Sequence, residues 1–187
     1  MSNKTKAALA LAMKEMLTIK PINKITIKDL VEACGVNRQT FYYHFDDVYD
    51  LLEWIFEQEA EQVLPKEIAY DRWREDVLTF FTYLAANREF SLNIYNSNSR
   101  TYMLRFYQKK LENCVRGFAI LVSENMNISR PDFEFVVQTY TNLVIGYISV
   151  WLDNGMQATT ESMYAKYLKL MDGSVEYMLG KFCNAGR

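Results

Sequence analysis

Proline and glycine are scarce, three and seven in 187 residues, so the chain lacks the turn chemistry that many short strands require. Cysteine is equally sparse. Cys34, Cys114 and Cys183 are odd in number, far apart and in no paired spacing, which argues against a disulfide framework and offers no zinc pattern. Thiols used in this way suit a reducing, cytoplasmic setting. His44 is the single histidine, so a histidine-dependent triad would have to be built from it. A large excess of charge is missing too, the net value being −2.

Apolar side chains make up half of the sequence, enough for a substantial core, and they recur in runs longer than ordinary strands. The fold class read from this is all-α. The charge is unevenly divided. Residues 1–45 hold seven basic side chains (Lys4, Lys6, Lys14, Lys20, Lys24, Lys28 and Arg38) against three acidic ones. The remainder is therefore acidic, a pattern that fits an N-terminal segment meeting a polyanion and a C-terminal body that does not. Lys4 and Lys6 before an apolar stretch look like the start of a signal peptide, but Lys14 and Glu15 interrupt it, and a helix is expected instead. Phe135 to Leu152 carries no charge and has the length of a membrane span. Its Gln138, Thr139, Thr141, Asn142 and Ser149, with acidic flanks and no basic anchor, point to a helix buried within protein and away from any membrane.

Helical spacing of Leu9, Met13, Met16 and Leu17 predicts a first helix over residues 4–19, ended by Pro21. Thr26 with Asp29 three residues on predicts a capped second helix. Cys34-Gly35-Val36 reads as a tight turn using positive φ at glycine. Asn37 then caps a helix running to about Phe45. A fourth begins near Asp46 or Asp47, whose carboxylates suit a helix N-terminus. Long helices are expected over 71–86, 99–124, 132–153 and 160–183, with a shorter piece over 88–95. The boundary between a small N-terminal domain, 1–48, and a larger helical domain, 49–187, is placed at the start of the fourth helix.

Two short helices joined by a glycine turn make a helix-turn-helix, carried by Thr26 to Phe45. Its second helix opens on Asn37-Arg38-Gln39-Thr40, which offers a guanidinium suited to guanine and an amide suited to adenine. Phe41 and Phe45, four apart, would anchor the opposite face.

The run Ile25-Thr26-Ile27-Lys28-Asp29-Leu30-Val31-Glu32-Ala33-Cys34-Gly35-Val36, followed by Thr40-Phe41-Tyr42-Tyr43-His44-Phe45, resembles the TetR family of transcriptional regulators. The resemblance covers roughly the first third of the chain; beyond it only the helical layout and the Trp151-Leu152 to Gly155 stretch are similar. It implies an N-terminal three-helix DNA-binding domain and a C-terminal helical domain for effector binding and dimerisation, with no cofactor, metal or catalytic residue. Carried over residue by residue, it implies that Thr26, Thr40, Tyr42, Tyr43 and His44 touch phosphates while Lys28, Arg38 and Gln39 reach bases, with Asn37 beside them. The partners implied are a palindromic double-stranded operator, a second copy of the chain, and an effector. Repression released by a small molecule is the family's usual mode. Tyr49-Asp50-Leu51-Leu52-Glu53-Trp54-Ile55 looks like a subgroup that includes regulators of dihydroxyacetone kinase operons, which implies activation through a protein co-regulator as the alternative. At the start of the fourth helix, Val48 stands where the family commonly has a lysine, so one phosphate contact is expected to be missing.

Among the C-terminal aromatics, Tyr83, Phe106, Tyr107, Phe118, Tyr140, Tyr147 and Trp151 are candidates to line an effector pocket, with plain core packing as the alternative. Val136 to Leu152, apolar nearly all round, must bury more than one face. Paired with 160–183, including Met163, Tyr167, Leu170, Met171 and Tyr177, it would form a four-helix dimer interface, with Gly146 permitting close approach. One reading of another class rests on Asp46-Asp47-Val48-Tyr49-Asp50, which matches the acidic motif of helical magnesium-dependent diphosphate enzymes. A facing acidic motif to complete it is missing, and helix capping explains the same acids.

Overall fold

The computed structural model describes residues 2–183 and contains, among them, ten α-helices and no strand. They are α1 (Ser2–Leu17), α2 (Ile27–Cys34), α3 (Arg38–His44), α4 (Val48–Val63), α5 (Trp73–Ala86), α6 (Arg88–Tyr95), α7 (Arg100–Val122), α8 (Arg130–Asp153), α9 (Thr160–Met171) and α10 (Ser174–Phe182). A 3₁₀ turn, Ile22–Lys24, links α1 to α2. The chain packs as two compact units, one of residues 1–62 with 87–103, the other of 63–86 with 104–187. These divisions fall elsewhere than the 48/49 boundary read from the sequence, because α4 and α6 pack with the first three helices.

In the N-terminal unit, Leu9, Met13 and Leu17 of α1 meet Leu30, Val31, Phe41 and Phe45, all buried. Leu51, Leu52, Ile55 and Phe56 bury one face of α4 in the same core. Phe56 packs edge-on to Phe90 of α6 and stacks with Tyr102. The amide of Asn93 donates to the Leu17 carbonyl at 2.8 Å, satisfying an orphan acceptor at the end of α1. Lys14 pairs with Glu59 across α1 and α4.

The C-terminal unit is built around α8. Ser129 caps it through the Asp132 N–H, and Pro131 occupies its first turn, where a missing N–H costs nothing. Val136, Val137, Tyr140, Val144, Ile148, Trp151 and Leu152 are buried. The Thr141 hydroxyl, also buried, donates to the Val137 carbonyl at 2.8 Å, so this buried polar group is met within the helix. By length and composition α8 is the one helix among the described residues that is apolar enough to cross a membrane, and its buried side faces α10 and the rest of this core. Arg116 of α7 grips both carboxylate oxygens of Glu134 at 2.7 Å and also reaches Glu112 at 2.9 Å.

The segment expected as one helix over 160–183 is two. Gly173 has φ 69, a left-handed conformation that ends α9, and α10 restarts after it. Met163, Tyr167 and Met171 turn into their own core, while Leu170 and Tyr177 are exposed.

Candidate nucleic-acid interface and ligand cavity

The helix-turn-helix is assembled from local signals. Thr26 Oγ1 accepts from the Asp29 N–H at 3.1 Å, and Asp29 Oδ2 accepts from the Thr26 N–H at 3.0 Å, a reciprocal capping box that fixes the start of α2. That backbone hydrogen bond, with Lys20 at 3.0 Å, holds the Asp29 carboxyl below its ordinary range. Gly35 closes α2 at φ 63, and the Val36 N–H returns to the Val31 carbonyl at 3.0 Å. Asn37 Oδ1 then accepts from both the backbone N–H and the hydroxyl of Thr40, at 2.8 and 3.0 Å. This cap starts α3. Phe41 and Phe45 pin the inner face of α3, and the Lys6 ammonium lies 5.1 Å from the Phe45 ring centre and 5.8 Å from that of Trp54.

The outer face of α3 is left to solvent. Arg38, Gln39, Tyr42 and Tyr43 are exposed, Tyr43 by 80%. Arg38 and Gln39 make no hydrogen bond or ion pair within the chain among the described residues. His44 is half-buried, its ring 4.9 Å from that of Tyr43. Thr26 and Lys28 are exposed on α2, Lys28 in an i,i+4 pair with Glu32 at 3.7 Å, a solvated contact of little strength. Thr40 differs from the rest, since its hydroxyl proton is committed to Asn37. Val48 opens α4 half-buried. Two of the three acids around it act as caps: Asp47 Oδ1 accepts from the N–H groups of Tyr49 and Asp50 at 2.7 and 2.9 Å, and Asp50 Oδ2 from that of Asp46 at 3.0 Å. Among the described residues no group of three or more histidine, cysteine or carboxylate side chains is placed to hold a metal ion.

The C-terminal unit holds a cavity of about 110 Å³ that is partly open to solvent. Leu64, Pro65 and Ile68 close one side. Trp73, Asp76, Val77, Phe80 and Phe81 of α5 and Leu111, Cys114, Val115 and Phe118 of α7 form two walls. Val144, Ile148, Tyr167, Met171 and Val175 complete it. Gly117 makes this closure possible, for a Cβ there would lie 2.7 Å from Ile68 Cγ1. Tyr70 stacks on Phe118 at 5.7 Å.

Of the seven aromatics expected at a pocket, Phe118 alone lines this cavity. The polar ends of three of the others direct them elsewhere. Tyr140 donates to the Ser174 carbonyl, Tyr147 to that of Met163, and Trp151 Nε1 to that of Ala158, at 2.7, 2.8 and 3.0 Å. Tyr107 packs edge-on against Phe80 and Phe106, and Tyr83 is half-buried on α5. The sequence does carry a signal for the true lining: Trp73, Val77 and Phe80, like Leu111, Cys114, Val115 and Phe118, recur at helical spacing on single faces.

Residues 5–55 match the family described as bacterial regulatory proteins, tetR family, and residues 71–173 match the one described as transcriptional regulator C-terminal region. The chain belongs to the TetR family. It is a DNA-binding transcriptional regulator with an N-terminal helix-turn-helix and a helical C-terminal domain. Among proteins similar to it is the HTH-type dhaKLM operon transcriptional activator DhaS of Lactococcus lactis subsp. lactis (strain IL1403), 29% identical over 91 residues. That match spans 49% of this chain and 49% of the relative, so the chain covers about half of the curated relative's length. A solved structure of the dihydroxyacetone kinase operon activator DhaS superposes with a TM-score of 0.73 at 20% identity, covering 96% of this chain and 98% of that one. A TetR transcriptional regulator from Streptococcus agalactiae 2603V gives 0.66 at 22% identity, with 90% and 94% covered. At these identities the two structures show a shared fold. The TetR fold places α3 as the second helix of the helix-turn-helix, the one whose outer face carries Arg38 and Gln39.

Proposed function

We propose that this TetR regulator acts as a cytoplasmic homodimer whose two α3 helices enter successive major grooves of a roughly palindromic operator. The observation that carries this reading is the opening of α3. Asn37 satisfies the cap, Phe41 and Phe45 fix the inner face, and the Arg38 and Gln39 side chains stand exposed without a partner among the described residues. Their donors are free to take a guanine edge and an adenine edge. Tyr42, Tyr43, His44 and Thr26 then hold phosphates, and Lys28 swings off Glu32 to the groove. Asn37 and Thr40 position the helix through their shared hydrogen bonds.

The dimer reading draws on apolar surface that the single chain leaves uncovered: Phe135 and Val150 on α8 and Tyr177 on α10 are each more than half exposed. Gly146, between them on α8, has nothing within 4 Å of a built Cβ, which suits close helix approach. An occupant of the C-terminal cavity that binds one dimer geometry better than another would shift operator affinity by that difference. A second reading follows from DhaS being named an activator of a dihydroxyacetone kinase operon: the chain activates transcription, and a protein co-regulator takes the effector's place. No catalytic role belongs to either reading.

Selection of bound sequences from a random duplex library tests the first claim. An inverted repeat with half-sites about one helical turn apart is expected, bound by a species of twice the chain mass in light scattering. Recovery of unrelated sequences, or a monomer at micromolar concentration, would refute it. Transcription from a promoter carrying that repeat, measured with and without the protein, separates repression from activation.

A further inference from the structure

Among the residues that line the C-terminal cavity, apolar side chains dominate, and the polar ones are Asp76, Cys114 and Tyr167. Cys114 is within electrostatic reach of Asp76 on one side and of Tyr167 on the other. Burial is the main cause that raises each of their proton affinities; Asp76 adds to the effect at Cys114, which stands at about 11, and Cys114 adds to it at Tyr167. Tyr167 is 5% exposed, and its hydroxyl has no hydrogen-bond partner among the described residues. The half-buried Asp76 carboxylate likewise makes no hydrogen bond or ion pair among the described residues, and the Arg72 and Glu75 charges that reach it are of opposite sign. The net provision is one carboxylate, one phenolic oxygen and a protonated thiol, set against the rings of Trp73, Phe80 and Phe118.

An ammonium group is the complement of such a set. It donates three hydrogen bonds and accepts none, and it is attracted to ring faces. A carboxylate ligand would meet Asp76 with like charge. A polyol would lay its hydroxyls against hydrocarbon, where they lose water without replacement. Size narrows the class further, since a cavity of ~150 Å³ takes benzene and this one, about 110 Å³ and partly open to solvent, suits a body of about that size or less.

We propose that the cavity binds a small protonated amine, its ammonium group held by Asp76 and Tyr167 and its hydrocarbon body of about four or five carbons held by the aromatic walls. The proposal rests on the reading of the cavity as an effector site and names the class of molecule that fills it.

Calorimetric titration of the full chain with cyclopentylamine, cyclopentanol, cyclopentanecarboxylate and dihydroxyacetone tests it, with operator affinity measured in parallel. The amine is expected to bind about ten- to a hundredfold more tightly than cyclopentanol, as a charge-assisted hydrogen bond in a partly dry site implies. In Asp76→Asn that ratio should fall to about one. Tyr167→Phe, which removes one oxygen, should weaken the amine and leave cyclopentanol's binding closer to the parent. Equal binding of amine and alcohol, tighter binding of the carboxylate or of dihydroxyacetone, or no binding of the amine overturns the proposal. An amine that binds through Asp76 but leaves operator affinity unchanged supports the ligand class and removes the effector reading instead.

Discussion

Asn37 and Arg38 are neighbours, and replacing each in turn with alanine separates their two roles. Asn37→Ala removes the acceptor for the Thr40 N–H and hydroxyl. Loss of such a cap costs about 1 kcal/mol, a fall in Tm of about 2–4 °C for a chain of this size. Arg38→Ala removes a side chain that is exposed and bonded to nothing else among the described residues, so its effect on stability should stay within about 0.5 kcal/mol. Its effect on recognition should be larger. A bidentate contact to guanine discriminates by about 1–3 kcal/mol, or roughly 5- to 150-fold in affinity. The assays are a thermal melt of each variant and fluorescence anisotropy with the selected operator and a scrambled duplex. Arg38→Ala should lose operator affinity and keep scrambled affinity nearly unchanged. Asn37→Ala should lower Tm and weaken both duplexes together. If Arg38→Ala weakened both equally, Arg38 would be a phosphate contact; if Asn37→Ala left Tm alone and abolished selectivity, the division of roles would be reversed.

Gly35→Ala should lower stability by about 1–2 kcal/mol through its left-handed backbone, with Gly35→Asn milder in the same melt, because nothing lies within 4 Å of a Cβ there. Gly117→Ala gains about 1 kcal/mol in helix propensity but drives a methyl into Ile68, and overpacking of about 1–3 kcal/mol should make the net change in Tm negative. Asp29 has a depressed carboxyl in the folded chain, so its stabilising contribution is complete above the ordinary aspartate range and vanishes as pH falls through the folded value. Melts of Asp29→Asn and parent should therefore differ near neutral pH and converge in strong acid.

What could be read from the sequence was local. Thr26 with Asp29, Gly35, Asn37, and Ser129 ahead of Pro131 each state a helix end in a few residues, and each appears in the structure where those residues imply. The break at Gly173 was hidden because Tyr167, Met171 and Val175 keep helical spacing across it, and periodicity outweighed one glycine. The cavity was hidden for another reason. Its lining comes from six stretches brought together by packing, and no local rule tells a ring that faces a void from one that faces a carbonyl. Tyr140, Tyr147 and Trp151 have the size of pocket residues, yet each is held by a hydrogen bond from its polar tip to a backbone oxygen. The basic excess of the N-terminal segment also shrinks on inspection, since Lys14, Lys20 and Lys28 pair with Glu59, Asp29 and Glu32. Arg38 pairs with no acid among the described residues.

Guanine N7 methylation protection on the selected operator tests the placement of α3 most directly. Two protected major-groove patches on one face of the duplex, about 10 base pairs apart centre to centre, are predicted, each losing protection at one guanine in Arg38→Ala. A single patch, no protected guanine N7, or a pattern that Arg38→Ala leaves intact would contradict it.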